Sequence, residues 1–522
     1  MNDSNGTPRQ SLADRFDTVL LCLLILAMCS QFNLRAVGQN TLAQGFATKQ
    51  LFIALSDVVL LLVFTWFVAR TTVMRAWRRL WWPPAACWAL FAALIIAALH
   101  SQPIVTSVAD SLADARGPKA IVKALITPAS KEAIAEIIQF TAYFVIAPFL
   151  FVNLLHDRRK GVLIERLRCA LETFAAAVLI TTGVALWQMR AGLESPPPTA
   201  FFGSANIYSG FLAMALPLLV AHALHAGRKR LPVTVIACIA LWLGLLTMTS
   251  LWAVIAVFLG VLIAGCLLRV PGRTALVLAS MAIVAGCAWF APMQLAGNWP
   301  EFRRAQNAAA AAFQKYEAGI EAVEKARAER DAKGESTALA AMRAAQARLA
   351  NTLLNRADFL HVNAADEKVK KPYMEWYAAM GWNVPREKAF ATGVGPGNYQ
   401  SNIKTYYSSL PTEGKMPLDS NNLYLVQGVA LGVLGLGALI WLLAYFARQA
   451  WIAQRRAPDE WLGGGVLACL AAFCFVTLFH ALFVRGTGLV LAFILSLAIV
   501  AIQRAAQRAA QLAAAQDVIN VD

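Results

Sequence analysis

Three alternating glycines and a pair of asparagines mark the one stretch of this chain where polar chemistry would meet a long apolar run. The glycines are Gly393, Gly395 and Gly397, within the sequence Gly-Val-Gly-Pro-Gly. Asn421 and Asn422 stand directly before an apolar segment that is itself rich in glycine. Because water-exposed chemistry would reach the bilayer here, we expect the functional site in this stretch.

The glycine stretch matches neither common phosphate-binding loop. No Gly-Lys-Ser or Gly-Lys-Thr follows it, its spacing is not GxGxxG, and no strand-to-helix context is predicted around it. A simple turn is the alternative interpretation. Its position favours function, because a predicted helix with Trp376 precedes it and the asparagine pair follows it.

The composition indicates that membrane helices position this stretch. The chain is 59% hydrophobic and 15% charged over 522 residues, more apolar than a soluble domain. It contains many apolar runs of about 17–25 residues, the length that crosses a hydrocarbon core as a helix. The net charge of +16 does not indicate a nucleic-acid partner, because the basic residues form short clusters between apolar runs.

We therefore predict an all-α polytopic membrane protein with about twelve transmembrane helices. Residues 1–291 hold spans one to nine, residues 292–422 form a large extracytoplasmic loop, and residues 423–522 hold spans ten to twelve and a cytoplasmic tail. The seventh and eighth spans are divided only by a turn at Thr247–Ser250. The predicted spans are 18–35, 51–69, 80–99, 133–155, 169–189, 206–224, 231–248, 251–268, 273–291, 423–446, 462–483 and 487–503.

The basic residues of the short loops predict the orientation. One set of alternate loops carries 17 Lys and Arg residues and the other set carries 8. Cytoplasmic loops hold the excess of positive charge in membrane proteins. Both termini should therefore be cytoplasmic, and residues 292–422 should lie outside.

Within the large loop, an Ala-, Glu-, Lys- and Arg-rich segment at about 298–358 predicts two antiparallel helices. The break between them is expected at Lys333-Gly334-Glu335-Ser336. The hairpin is interpreted as a spacer, with a partner-binding coiled coil as the alternative. A third helix at about 365–380 is expected along the membrane surface.

Metal and disulfide chemistry are not predicted. None of the nine cysteines forms a CxxC pair, and none lies in the large polar loop. The loops also lack a DxD sequence and a cluster of His, Asp and Glu ligands.

The chain resembles the O-antigen ligase and O-antigen polymerase superfamily of bacterial envelope enzymes. The twelve-span layout, with one large external loop before the tenth span, is also similar to that family. The motifs that carry the resemblance are Phe202-Gly203-Ser204-Ala205-Asn206, the Thr247–Ser250 turn, Ala391–Tyr399, and Asn421-Asn422-Leu423-Tyr424.

The resemblance implies an enzyme of the bacterial inner membrane that moves a glycan from an undecaprenyl-pyrophosphate carrier to an acceptor hydroxyl on the outer side. The acceptor would be a lipid, another lipid-linked glycan or a protein. Neither a nucleotide sugar, a metal nor another cofactor is implied. The expected partners are the carrier-linked glycan, its acceptor, membrane lipids and other polysaccharide-assembly proteins.

Such a reaction needs cations to stabilise the departing pyrophosphate. Arg485 is favoured because it lies in a very short connection between two spans, and Arg190 follows the fifth span. The glycines at 393, 395 and 397 and the asparagines at 206, 421 and 422 are the other expected substrate-binding residues. The remaining candidate cations on the outer side are Lys368, Lys370, Lys371 and Lys404.

The chain departs from the family pattern at the expected base. Ligases of this group usually carry a histidine just before the asparagine pair, whereas this chain has Leu418-Asp419-Ser420 there. Asp419 or His361 could accept the proton instead, and Asp419 could equally cap the tenth span. The missing histidine shifts the interpretation from ligase towards polymerase.

Two other classes stay open. A transporter or flippase for lipid-linked substrate would predict internal repeats and broken helices with buried charges near the middle of the bilayer. A non-catalytic scaffold of the same family would use the helical hairpin to hold partners.

Overall fold

The computed structural model describes most of the apolar part of the chain. Every element that it describes is helical, and the described residues contain no strand. The described residues are 12–29, 55–113, 128–155, 160–191, 200–202, 205–225, 231–248, 250–295, 300–329, 334–345, 387–397, 422–480, 482 and 487–519.

Seventeen α-helices follow one another in the described residues, numbered here in chain order, besides a short 3-10 helix and a π-helical segment. They are α1 (Leu12–Cys29), α2 (Leu55–Val73), α3 (Ala85–His100), α4 (Gln102–Ala113), α5 (Pro128–Thr141), α6 (Ala147–Leu155), α7 (Lys160–Ala191), α8 (Ala205–His225), α9 (Leu231–Thr247), α10 (Leu251–Leu268), α11 (Pro271–Leu295), α12 (Pro300–Ala328), α13 (334–345), α14 (Glu387–Thr392), α15 (Leu423–Arg456), α16 (Trp461–Val476) and α17 (Thr487–Ile519).

A helix occupies each of the twelve predicted spans, and the chain is a polytopic membrane protein. Among the described residues, seven helices are long and apolar enough to cross a membrane, and four more are apolar but shorter. The count of twelve stays a prediction. One predicted boundary is wrong: α16 ends at Val476, whereas the eleventh span was expected to reach residue 483. The residues after Val476 turn instead, because the carbonyls of Thr477 and Leu478 accept hydrogen bonds from the start of α15.

The core forms around α8, which is buried along almost its whole length. Helices α10 and α16 pack on it, and α15 and α17 pack on α16. Gly260 of α10 lies against Pro217 of α8, where an added Cβ would come within 2.7 Å of the proline Cγ. Small residues at such crossings allow membrane helices to approach closely. The outer faces carry exposed apolar side chains such as Leu61, Ile180 and Trp187, as expected of surfaces that face lipid.

The seventh and eighth spans are divided as predicted. Helix α9 ends at Thr247, and α10 begins after Ser250. The Ser250 side chain caps α10 by accepting a hydrogen bond from the Ala253 N–H. Such a cap satisfies one of the N–H groups that a helix start leaves without a partner.

Two spans are irregular. A π-helical segment, Ala142–Ile146, joins α5 to α6, and π-helical turns are frequent at functional sites. Helix α15 is interrupted at Gly432, which has φ 66° and ψ −169°. An interruption inside a membrane helix leaves backbone groups that must find other partners within the protein.

The two ends of the bundle differ in charge. At the basic end, where α2 ends and α7 begins, Asp17 forms an ion pair with Arg70 and lies 3.7 Å from the Arg166 Nη2 atom. Arg166 also donates to the Leu154 carbonyl at 3.0 Å. The opposite end, where α3 ends and α15 begins, is called the loop end here because the glycine stretch lies there.

The Ala-rich segment forms two packed helices in the described residues. Gly319 of α12 lies against Met342 of α13, and Arg327 pairs with Glu335 at 2.6 Å, so the two helices are antiparallel. The hydrogen bond and the charge of Glu335 raise the pKa of Arg327. Gly334, Glu335 and Ser336 belong to α13, so the expected break does not fall at these three positions. The third predicted helix, at about 365–380, lies outside the described residues.

Candidate functional site

The glycine stretch docks against the interruption in α15. The Val394 N–H donates to the Val429 carbonyl and the Gly395 N–H donates to the Ala430 carbonyl, each at 2.9 Å. These carbonyls precede the break at Gly432. The glycine stretch therefore supplies hydrogen-bond donors to the part of the helix that its own backbone cannot complete.

Close backbone contact explains two of the glycines at this seat. Both have positive φ, 72° at Gly393 and 66° at Gly432. A Cβ on Gly393 would lie 2.4 Å from the Ala430 oxygen, and a Cβ on Gly432 would lie 2.4 Å from the Ala391 oxygen. Neither position can hold a larger residue without moving a backbone segment.

Two further helices hold the same stretch. The Ser101 hydroxyl, just after α3, donates to the Val394 carbonyl at 2.6 Å. The Gly397 N–H donates to Oε2 of Glu136 on α5. Three backbone N–H groups of the stretch thus already bind protein oxygens. A substrate-binding role for Gly393, Gly395 and Gly397 stays a prediction, and it would need groups other than these three N–H donors.

Asn422 joins the start of α15 to the end of α16. Its Oδ1 accepts from the Leu425 N–H at 3.0 Å, which makes it the N-cap of α15, and its Nδ2 donates to the Leu478 carbonyl at 3.0 Å. The side chain is only 4% exposed. The cap of the tenth span is thus Asn422, and Asp419 does not take that place.

A buried serine–histidine pair lies at the same end of the bundle. The Ser250 Oγ and His480 Nε2 atoms are 2.6 Å apart, and both side chains are buried. The Tyr208 hydroxyl and the Oγ1 atom of Thr247, the last residue of α9, are also 2.6 Å apart. The turn after the seventh span therefore bonds to α8 and to the segment that follows α16. The pairing of His480 with Ser250 is a feature that the sequence did not reveal.

Glu136 and Gln427 form a second polar pair that sequence reasoning missed. Glu136 is half-buried on α5, and the Gln427 side chain of α15 lies beside its carboxylate. Gln427 is 3% exposed, and within the part of the chain that the structure describes its Oε1 has no hydrogen-bond partner. A carboxylate inside an apolar span was the signal that could have drawn attention to this position.

Of the other predicted site residues, two lie in described helices. Arg190 is the penultimate residue of α7, and Asn206 is an exposed residue in the first turn of α8. The predicted residues that lie outside the described residues are His361, Lys368, Lys370, Lys371, Lys404, Asp419, Asn421 and Arg485.

Over the residues that the structure describes, no group of three or more His, Cys, Asp or Glu side chains is placed to hold a metal ion. The described polar groups that bond to one another at the loop end include hydroxyls, amides, the His480 imidazole and the Glu136 carboxylate. Such groups can bind hydroxyl-rich ligands and accept protons.

Comparison with known proteins adds no relative: no family model matches the chain, and no curated protein matches it significantly.

Proposed function

We propose that this protein is a glycan transferase or polymerase of the bacterial inner membrane. It moves a saccharide from an undecaprenyl-pyrophosphate carrier to an acceptor hydroxyl at the loop end, on the outer side of the membrane. The proposal belongs to surface polysaccharide assembly and to the O-antigen ligase and polymerase group that the sequence resembles.

One observation supports the proposal above the others. Three motifs that are far apart in the sequence meet at one end of the bundle: the glycine stretch, Asn422, and the turn before Ser250. Asn422 and Ser250 both bind residues within 477–480, and the glycine stretch bonds to the seventh and eighth residues of the helix that Asn422 caps. Motifs that serve only their own local turns have no reason to converge in this way.

The proposed reaction needs no covalent bond between the protein and the sugar. The acceptor hydroxyl attacks the sugar carbon that bears the pyrophosphate, and the bond to the pyrophosphate oxygen breaks with its electron pair. Fixed cations stabilise the negative charge that grows on the departing group. We assign that role first to Arg485 and then to Arg190, with the lysines of the large loop helping to bind the carrier.

The test is a reaction with purified components. Protein in nanodiscs is given an undecaprenyl-pyrophosphate-linked oligosaccharide, and free carrier and extended or transferred glycan are measured. Arg485→Ala should lower kcat by about 10²–10³-fold, the cost of losing one charge-stabilising donor. Arg448→Ala, which removes one exposed arginine from α15 near the basic end, is the matched control and should keep the wild-type rate.

The two results separate the site from the class. A full rate in both Arg485→Ala and Asp419→Ala would refute the assigned residues and leave the class standing. No carrier release by the wild-type protein with any lipid-linked donor would refute the transferase itself.

The interruption of α15 at Gly432 favours one alternative, a transporter for lipid-linked substrate, because broken membrane helices are frequent in transporters. Here the break lies ten residues from the start of the helix, and its carbonyls accept hydrogen bonds from the glycine stretch. A proteoliposome assay distinguishes the two. Movement of fluorescent lipid-linked saccharide between leaflets without release of carrier would favour the transporter.

A further inference from the structure

We propose that Glu136 and Gln427 form the binding site for the reacting hydroxyl of the acceptor sugar, and that Glu136 accepts its proton. This inference rests on the proposed function and deepens it, since it assigns the acceptor side of the reaction. It also gives the base role to a residue of the membrane bundle, where the sequence suggested Asp419 or His361.

The position of Glu136 indicates a functional role. It is the fourth residue of the apolar span Ala133–Leu155, where a charged side chain is costly and marks a functional site by default. It is half-buried and faces the glycine stretch, since its Oε2 accepts the Gly397 N–H. A carboxylate is not needed for this bond alone, because a neutral amide oxygen would accept the same N–H.

The side chain of Gln427 indicates a bound group as well. It is 3% exposed, it lies beside the Glu136 carboxylate, and its Oε1 lacks a partner within the described residues. Buried side-chain oxygens are nearly always hydrogen-bonded in folded proteins, and an exception asks for an explanation. A bound group that donates a hydrogen bond provides one.

The chemistry of the pair selects the ligand. An ionised carboxylate and an amide oxygen both accept hydrogen bonds, so together they favour a ligand rich in O–H donors. The same carboxylate repels phosphate. A sugar hydroxyl therefore fits this pair, whereas the pyrophosphate of the donor does not.

The same face of the helix continues the polar surface. Gln139 and Tyr143 follow Glu136 at three and seven residues, and Gln139 Nε2 donates to the Tyr143 hydroxyl at 3.2 Å. Tyr143 lies in the π-helical segment and packs against Gly488 of α17, where an added Cβ would lie 2.1 Å from its ring. The irregular turn thus keeps a polar row directed into the bundle.

The step balances as follows. The acceptor O–H transfers its proton to Glu136, and the oxygen electron pair forms the new bond to the sugar carbon. The bond from that carbon to the carrier's pyrophosphate oxygen breaks, and its electron pair leaves with the pyrophosphate. The proton on Glu136 then returns to water or to the departing pyrophosphate, and no oxidant or reductant is needed.

The experiment compares Glu136→Gln with the wild-type protein in the nanodisc assay. Glutamine can still accept the Gly397 N–H, so the glycine stretch stays docked and the melting temperature should not change. We expect kcat to fall by about 10²–10⁴-fold, the range for loss of a general base, with an unchanged KM for the donor. Glu172→Gln, at an exposed carboxylate of α7 that pairs with Arg168, is the control and should keep the wild-type kcat.

A second variant tests binding separately. Gln427→Met keeps the volume of the side chain and removes the unpaired oxygen. It should raise the KM for the acceptor about tenfold, with a smaller effect on kcat. The free oligosaccharide cut from the donor is then titrated against both proteins by calorimetry, and its affinity should fall in the variant.

Each outcome gives a decision. Wild-type kcat in Glu136→Gln, or unchanged acceptor KM and affinity in Gln427→Met, overturns this inference and leaves the proposed function intact. If the wild-type protein binds the free oligosaccharide through Gln427 but releases no carrier, the acceptor site stands and the proposed transfer fails. If it neither binds nor transfers, both fail.

Discussion

The backbones at Gly393 and Gly432 approach each other so closely that neither residue has room for a side chain. We expect Gly393→Ala and Gly432→Ala each to destabilise the protein by at least about 1–2 kcal/mol, the cost of a left-handed conformation for a residue with a Cβ. The overlap with the facing carbonyl adds to that cost. Unfolding in detergent micelles, followed by tryptophan fluorescence, measures it.

Gly437→Ala is the matched control for this prediction, because it lies in the same helix and an added Cβ would meet nothing within 4 Å. It should leave stability unchanged or raise it slightly, since alanine is the better helix former. The double variant Gly393→Ala/Gly432→Ala should cost less than the two single losses together, because both disturb one contact. Strict additivity would argue against the close approach.

At the scale of single residues, the sequence predicted the important stretch of the chain, but it did not predict which side chains would form hydrogen bonds with it. The glycines and Asn422 could be singled out because their types and order are unusual beside an apolar span. Ser101 and Glu136, which hold the glycine stretch, come from 293 and 261 residues away in the chain. Nothing in the local pattern indicates such partners, and His480 gives no signal until Ser250 is seen beside it.

Among the elements, α1, α2 and α7 are joined by the buried ion pairs of Asp17. Asp17→Ala should destabilise the bundle by about 3–5 kcal/mol, because it leaves the buried Arg166 and the half-buried Arg70 without their anionic partner. Asp459→Ala is the control. That carboxylate is 81% exposed and lies 3.7 Å from Arg508, so its loss should cost about 0–1 kcal/mol.

Thermal melts of purified protein in the same detergent check both changes. Equal melting temperatures for the two variants would mean that the Asp17 cluster contributes no more than a surface pair. A low yield of Asp17→Ala that is restored by also changing Arg166 to leucine would support the charge explanation, because the uncompensated ion is then removed.

Helix positions were predictable because run length and apolar composition decide what crosses a membrane. Helix ends were less so. Residues 477–484 are still mostly apolar, yet the chain turns after Val476, where the carbonyls of Thr477 and Leu478 accept hydrogen bonds from the start of α15. The sequence did not predict the interruption at Gly432 either. Several glycines occur along α15, but only Gly432 has a positive φ and packs against the backbone of another segment.

For the whole molecule, the charge asymmetry of the two ends predicts the orientation. A cysteine at Glu329, beside the turn of the helical hairpin, should react with a membrane-impermeant maleimide in intact cells, because that segment is expected outside. A cysteine at Ala509, an exposed position of α17, should react only after the membrane is permeabilised. The wild-type protein with its nine native cysteines gives the background.

Labelling of the Ala509 position in intact cells would reverse the orientation and remove the outer location of the loop end. Protection of both positions in intact cells would place the hairpin in the cytoplasm, with the same consequence for a reaction on lipid-carried glycans outside. Either result would refute the proposed function independently of any assay of activity.

The docking of the glycine stretch on α15 also has a consequence for membrane insertion. The tenth span leaves the ribosome after the segment that completes it, and the bonded residues Val394 and Val429 are 35 positions apart. When this span first enters lipid, the carbonyls before its break have no donors, and each costs several kcal/mol in hydrocarbon. The insertion machinery must therefore shelter this helix until the preceding segment folds back onto it. If that segment lies outside, as the charge pattern predicts, its translocation and the release of the helix into lipid become one coupled event.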